Sequence, residues 1–190
     1  MRRLTASLAG MLAAGALVLT GCGTSAGTGH AGHTASPGAA STGAHNSADA
    51  MFARMMIPHH RQAVAMAKMA HGKAGPDVRR LATAIEGAQG PEIATMTGWL
   101  RSWGEPVPSG DAAMDHGSGM MSGADMTKLD GMSGAAFDHA FLTMMITHHQ
   151  GAVTMARTER RAGAYPPAKA LAASIITAQN REIAKMRGLL

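Results

Sequence analysis

The chain repeats itself. Phe52, Met55, Met56, Ile57, His59, His60, Ala63, Val64, Met66 and Ala67 return 89 positions later as Phe141, Met144, Met145, Ile146, His148, His149, Ala152, Val153, Met155 and Ala156, ten identities in a window of sixteen. A second stretch, Leu81 to Met96, returns at an offset of 90 as Leu171 to Met186, with Gln89, Glu92, Ile93 and Met96 matched by Gln179, Glu182, Ile183 and Met186. Each half therefore contributes two elements, and one half must be able to pack against its own copy. At about 100° per residue, Phe52, Met55, Met56, His59, Ala63, Met66 and Ala67 fall along one side of a helix, as do their repeat partners. In the second element Leu81, Ile85, Ala88, Glu92, Met96 and Trp99 share a side, matched by Leu171, Ile175, Ala178, Glu182, Met186 and Leu189. That spacing turns both glutamates inward.

The breaks in the pattern predict four long helices. Gly72 to Gly75 precede Pro76, Gly104 to Ser109 follow Trp103, and Gly163 to Pro167 part the last two elements. Pro76 and Pro167 suit first-turn positions, where the missing N–H costs nothing. Pro58 and Pro91 fall inside helices at a cost of about 3 kcal/mol or a kink. Their repeat partners, Thr147 and Arg181, carry no interruption, so the helices are read as continuous. The expected architecture is all-α, a ferritin-like four-helix bundle of two repeated hairpins, 48–103 and 134–190. They are joined by a Met- and His-rich connection, 104–133, too long for an ordinary turn. Ser122 and Asp125 have the capping-box spacing for a short helix within it.

Ahead of the bundle, Met1-Arg2-Arg3 and an apolar run to Leu19 lead to Leu19-Thr20-Gly21-Cys22. This reads as a signal peptide over 1–21, too short to span a bilayer, ending in a lipobox. Cys22 is the single cysteine of the chain, so it is read as the lipidated residue, and no intramolecular disulfide can form. Acyl chains on Cys22 would hold the protein to the outer face of the cytoplasmic membrane or in the periplasm, at about 0.8 kcal/mol per buried CH₂. Residues 22–47 read as a Gly/Ala/Ser/His tether, whose His30, His33 and His45 are more often inert than functional. Removing 1–21 takes two arginines and leaves 15 basic against 12 acidic residues, too even a balance to imply nucleic acid as a partner.

The adjacent histidines are the most informative chemistry. His59 and His148 sit within apolar stripes where an imidazolium is costly, so they need either Glu92 and Glu182 or a metal ion that takes a neutral ring nitrogen. Met55 and Met144 lie one turn before them, and Met66 and Met155 two turns after, so thioether and imidazole can share a face. With Met56, Met145, His60, His149, Glu92 and Glu182, these form the candidate metal set. Thioether with imidazole suits Cu(I), imidazole with oxygen suits Cu(II), and hard ions want more carboxylates. A Met stripe by itself is usually core packing. The case for metal rests on His and Met patterns occurring together, twice. Met114, His116, Met120 and Met121 form a secondary capture segment in the connection, where methionines among Gly and Ser cannot be explained as core.

These paired motifs, each Phe-x-x-Met-Met-Ile-x-His-His-x-x-Ala-Val-x-Met-Ala followed by Ala-Gln-x-x-Glu-Ile-x-x-Met or its near copy, resemble the bacterial domain of unknown function 305 family from about Asp49 to Leu190. The resemblance implies a ferritin-like fold and, by analogy with exported copper-binding members, copper at His59, His60, His148, His149 and the neighbouring methionines. The expected function is exported, lipid-anchored copper sequestration or handling. The expected partners are the membrane through Cys22, metal ions, and a copper-handling protein or second copy. A di-iron oxidase would need Glu-x-x-His on two helices, and other enzyme signatures are missing, so no activity is expected. The rival reading is a non-catalytic structural or interaction lipoprotein whose core His and Glu pair with each other.

Overall fold

The computed structural model describes residues 44–109 and 119–190. Cys22, His30, His33, Met114 and His116 lie outside them. Five helices follow in order: α1 (Ser47–Lys73), α2 (Pro76–Ser102), α3 (Gly123–Asp130), α4 (Gly134–Ala162) and α5 (Pro166–Arg187). The two hairpins are α1–α2 and α4–α5, and α1 packs against α4. The four-helix bundle read from the repeat is the fold of the chain. Among the described residues, no helix is long and apolar enough to cross a membrane.

The helix ends are set by local chemistry. Asn46 caps α1 in a capping box with Asp49, Ser122 caps α3 in one with Asp125, and Pro76 and Pro166 open α2 and α5. Both interior prolines are accommodated, since α1 runs unbroken through Pro58 and α2 through Pro91. His45, read as tether, lies flat on Trp103 at 4.2 Å between ring centroids.

Helices α1 and α4 run antiparallel, held at both ends by carboxylates at matched positions of the repeat. Asp49, near the start of α1, accepts from the Ala164 and Tyr165 amides of the α4–α5 turn at 3.1 and 3.0 Å. Asp138, its partner 89 residues later, accepts from the Gly75 amide of the α1–α2 turn at 3.0 Å. Each hairpin thus staples the turn of the other. The charge-assisted bonds also occupy amides at helix N-termini that would otherwise be orphaned.

The described stretches of the connection lie along α1. Arg54 pairs with Glu105 at 3.2 Å, Arg61 donates to the Pro108 carbonyl at 2.8 Å, and Lys73 reaches Asp130. Gln62 grips Met121 twice, donating to its carbonyl at 2.8 Å and accepting from its amide at 2.7 Å. Gly119, at φ +78°, passes so close to α4 that a Cβ there would lie 2.6 Å from the Thr147 carbonyl oxygen. Only glycine serves at that crossing, because both the backbone angle and the space forbid a side chain.

One detail of the expected faces is corrected. Ala88 and Ala178 were expected inside but are exposed, while Gln89 and Gln179 are buried at 2% and 3% exposure. Leu81, Ile85, Gln89 and Met96 form the true inner line of α2. Counting apolar letters favoured alanine over glutamine, although helical phase places position 89, four residues after Ile85, squarely inward.

Candidate metal centre

Two apolar clusters occupy the bundle. One gathers Met66, Leu81, Ile85, Phe141, Leu142 and Met145; the other gathers Phe52, Met56, Ile57, Met96, Leu100 and Ile175. The four histidines lie between these clusters along both α1 and α4, because His59 follows Met56 and precedes Ala63 by helical turns while His148 does the same between Met145 and Ala152. All four are sequestered: His59 is 1% exposed, and His60, His148 and His149 are 0% exposed.

The repeat brings each histidine into a matched role. His59 and His148 meet face to face, with ring centroids 3.7 Å apart and planes at 33°. Repeat partners that touch must lie on the pseudo-twofold axis relating the halves, which places this pair at the centre of the α1–α4 contact. His60 and His149 turn outward to the flanking helices, Nε2 of His60 lying 2.7 Å from Glu92 Oε2 and Nε2 of His149 lying 2.6 Å from Glu182 Oε2. The two glutamates therefore serve the second histidine of each pair, whereas the helical stripe had matched them with the first. With the proton on Nε2 of a neutral ring, Nδ1 keeps its lone pair, the arrangement by which a carboxylate orients a ligand histidine.

Several buried polar atoms have no hydrogen-bond partner within the protein: Nδ1 of His60 and of His149, and side-chain atoms of Gln89 and Gln179. Orphaned atoms at this density, in one layer, mark a place for an ion or ordered water. Burial, followed by the neighbouring charges of His59, His149 and His60, holds the His148 imidazole well below its ordinary value of 6.5. The ring is neutral at physiological pH, its lone pair free to coordinate. Among the described residues, no three His, Cys, Asp or Glu side chains converge as a metal-holding group. The donors on offer are imidazole pairs with thioethers nearby.

The candidate methionines divide by burial. Met56, Met66 and Met145 are fully buried. Met144 packs half-buried against the first cluster and Met155 against the second. Met55 and Met155 together line an outer groove between α1 and α4. Met120 and Met121 sit half-buried, and Met121 packs against the first cluster, which corrects the expectation that this methionine serves no core.

With this arrangement of paired histidines on a repeated helical scaffold, the sequence profile of the domain of unknown function 305 matches residues 49–190. The chain belongs to that family. A DUF305 protein from Streptomyces coelicolor is 36% identical with a TM-score of 0.71, the match covering 76% of this chain and 92% of that one. A DUF305 fragment from Deinococcus radiodurans is 30% identical with a TM-score of 0.69, covering 76% and 95%. CopM in its Cu(I)-bound form is 36% identical with a TM-score of 0.63, covering 74% and 94%, and CopM structures with Cu(II), with silver and in the apo form are also similar. A comparison with curated proteins returns no match.

This DUF305 chain holds a second buried polar cluster that its motifs did not reveal. Asp49 and Glu159, at 0% and 1% exposure, meet beside Gly163, where a Cβ would collide with Glu159 Oε1 and lie 2.7 Å from Asp49 Oδ1. Burial, then the hydrogen bond and charge of Asp49, push the Glu159 carboxyl up to about 8. Burial also acts to raise Asp49, but hydrogen bonds from the Asn46 backbone, Glu159, Tyr165 and Ala164 outweigh it and leave the carboxyl lowered. Glu159 is thus the protonated member, donating to Asp49. The recurrence of Asp49 at Asp138, on the same offset as the His pairs, was the available signal for the staple. Glu159 had none, since its repeat counterpart is Ala70.

Proposed function

We propose that this DUF305 protein binds copper, chiefly as Cu(I), at the His59–His148 centre, and acts outside the cytoplasm in copper sequestration or handling without catalysing a reaction. The observation that carries the reading is His148, fully buried, neutral and pressed against His59, in a layer where Nδ1 of His60 and of His149 has no hydrogen-bond partner within the protein. Such a site is expensive for an apo protein and favourable once a soft ion accepts the lone pairs. A few imidazole and thioether donors suit a soft monovalent ion better than a hard one. His60 and His149 would join or steady the set through Nδ1, with Glu92 and Glu182 as their orienting partners. Met66, Met144, Met56 and Met145 would supply the soft surroundings, and Glu92 and Glu182 would offer oxygen ligands to Cu(II). The similar CopM structures hold Cu(I), Cu(II) and silver, and the Streptomyces coelicolor relative is provisionally described as secreted.

Cys22 would anchor the chain to the membrane, with residues 22–47 as tether. Met114, His116, Met120 and Met121 would form a weaker capture segment. The clamp of Gln62 on Met121 supports that role by keeping one end of the segment beside the centre. The rival reading, a structural module of internal His–Glu pairs, draws support from His60–Glu92 and His149–Glu182, yet those bonds leave Nδ1 of His60 and of His149 unsatisfied.

Anaerobic Cu(I) titration against a competing chelator tests the proposal. Replacing His59 and His148 together by alanine should remove the tightest site with helical circular dichroism retained. Undiminished affinity in the folded double variant would refute the imidazole centre.

A further inference from the structure

Between α1 and α4, on the outside of the bundle, lies a groove of ≈ 720 Å³ with three methionines on its walls: Met51, Met55 and Met155. Met51 is 50% exposed, so its thioether is not filling the core, and position 51 belongs to neither His-Met motif. Met51 and Met55 are one helical turn apart on α1. Met155 faces the same groove from the opposite half of the repeat. Most of the remaining wall is uncharged, including Phe52, Gln150 and Gly151. The oxygens of the wall belong to Thr147, Gln150, Thr154, Thr158 and the single carboxyl of Glu159, too few charged ligands for a hard ion, while soft sulfur donors are concentrated.

The place of the groove in the fold gives it a use. Met55 precedes His59 by one turn of α1. Thr147 and Gly151, which line the groove on α4, flank His148 on either side. Gly119 brings the middle of the Met/His connection to the same wall. An ion held by thioethers at the mouth is therefore one helical turn from the buried imidazoles. It could move inward by exchanging sulfur for nitrogen ligands with no change of oxidation state.

We propose that Met51, Met55 and Met155 form a surface site for a soft monovalent cation, separate from the His59–His148 centre and serving as its point of entry. The entry role rests on the copper reading above, whereas the groove site stands on its own. Silver ion is the probe, since it mimics Cu(I) without redox chemistry. The full chain, detergent-solubilised and carrying ¹³C-labelled methionine methyls, is titrated with silver nitrate beside His148→Ala and the triple variant Met51→Leu, Met55→Leu, Met155→Leu. The methyl signals of the three groove methionines should shift in the wild type and equally in His148→Ala. The triple variant should lose one bound equivalent and fill the imidazole centre several-fold more slowly. Groove methyls that stay unmoved while the protein saturates with silver overturn the proposal. Should the triple variant misfold, the wild-type methyl shifts alone decide. Groove methyls that respond while the histidine ring signals stay silent would uphold the groove and defeat the imidazole centre.

Discussion

Replacing Glu159 by glutamine should stabilise the protein in alkaline solution and leave it nearly unchanged below about pH 4.5. The native carboxyl sits against Asp49 and the Gly163 backbone, pushed up to about 8 from an ordinary value of 4.5. Between those values the native state keeps a proton that the unfolded chain gives up. The stability it contributes is fully present below about 4.5 and is lost as pH rises through about 8. A rise from 4.5 to 8, at about 1.4 kcal/mol per unit, sets a ceiling near 5 kcal/mol. Water entering as the charged pair separates lowers the ceiling to about 2 kcal/mol. Glutamine keeps the shape and the donor to Asp49 but cannot ionise. In urea melts followed by circular dichroism, the variant should match the wild type within about 0.5 kcal/mol at pH 4 and exceed it by about 2 kcal/mol at pH 9, a gain of several degrees in Tm. A stability difference that is the same at both pH values would refute the shared-proton account. Asp49 shapes the acid side: its lowered carboxyl contributes stability above about 3.8 that is lost as pH falls through its folded value.

Two further outcomes follow from the same geometry. Gly119→Ala must place a Cβ 2.6 Å from the Thr147 carbonyl oxygen at φ +78°, so it should cost about 2–3 kcal/mol and speed hydrogen exchange in the connection. A urea midpoint shifted by less than the equivalent of about 0.5 kcal/mol would count against the close crossing. His148 is held well below 6.5 by burial and then by the other histidines, so the unfolded chain takes up a proton that the native ring refuses. Apo stability should decline as pH falls below about 6.5. Measured in the Glu159→Gln background to remove the opposing titration, His148→Gln should flatten that decline, and an equal slope in both proteins would show that His148 is not the group responsible.

Much of the fold could be read from letters alone because helical phase and local capping are short-range properties. The repeat implied two hairpins, Ser122 and Asp125 had the spacing of the capping box they form, and Pro58 and Pro91 could be read through because their repeat partners were unbroken. The centre was only half legible. Phase placed His59 and His148 inside, but their neighbours His60 and His149 lie about 100° around the helix, on what a single stripe treats as its margin. In a bundle that margin faces a flanking helix, and Glu92 and Glu182 wait there. Met55 and Met155 satisfied the same periodicity as Met56 and Met66, yet they line a groove open to solvent. Periodicity reports direction from one helix axis, not whether another helix closes over that direction.

The sequence by itself determined that two equivalent hairpins would bury paired histidines among methionines, because duplication and amphipathic phase are both written in residue order. Only tertiary structure decided that His59 would meet His148 across an antiparallel α1–α4 contact, that the carboxylates would take the second histidine of each pair, and that Asp49 would share a proton with Glu159. Each of those depends on how far one helix slides and turns against its neighbour. That register is set by the packing of both surfaces at once, a quantity no single segment carries.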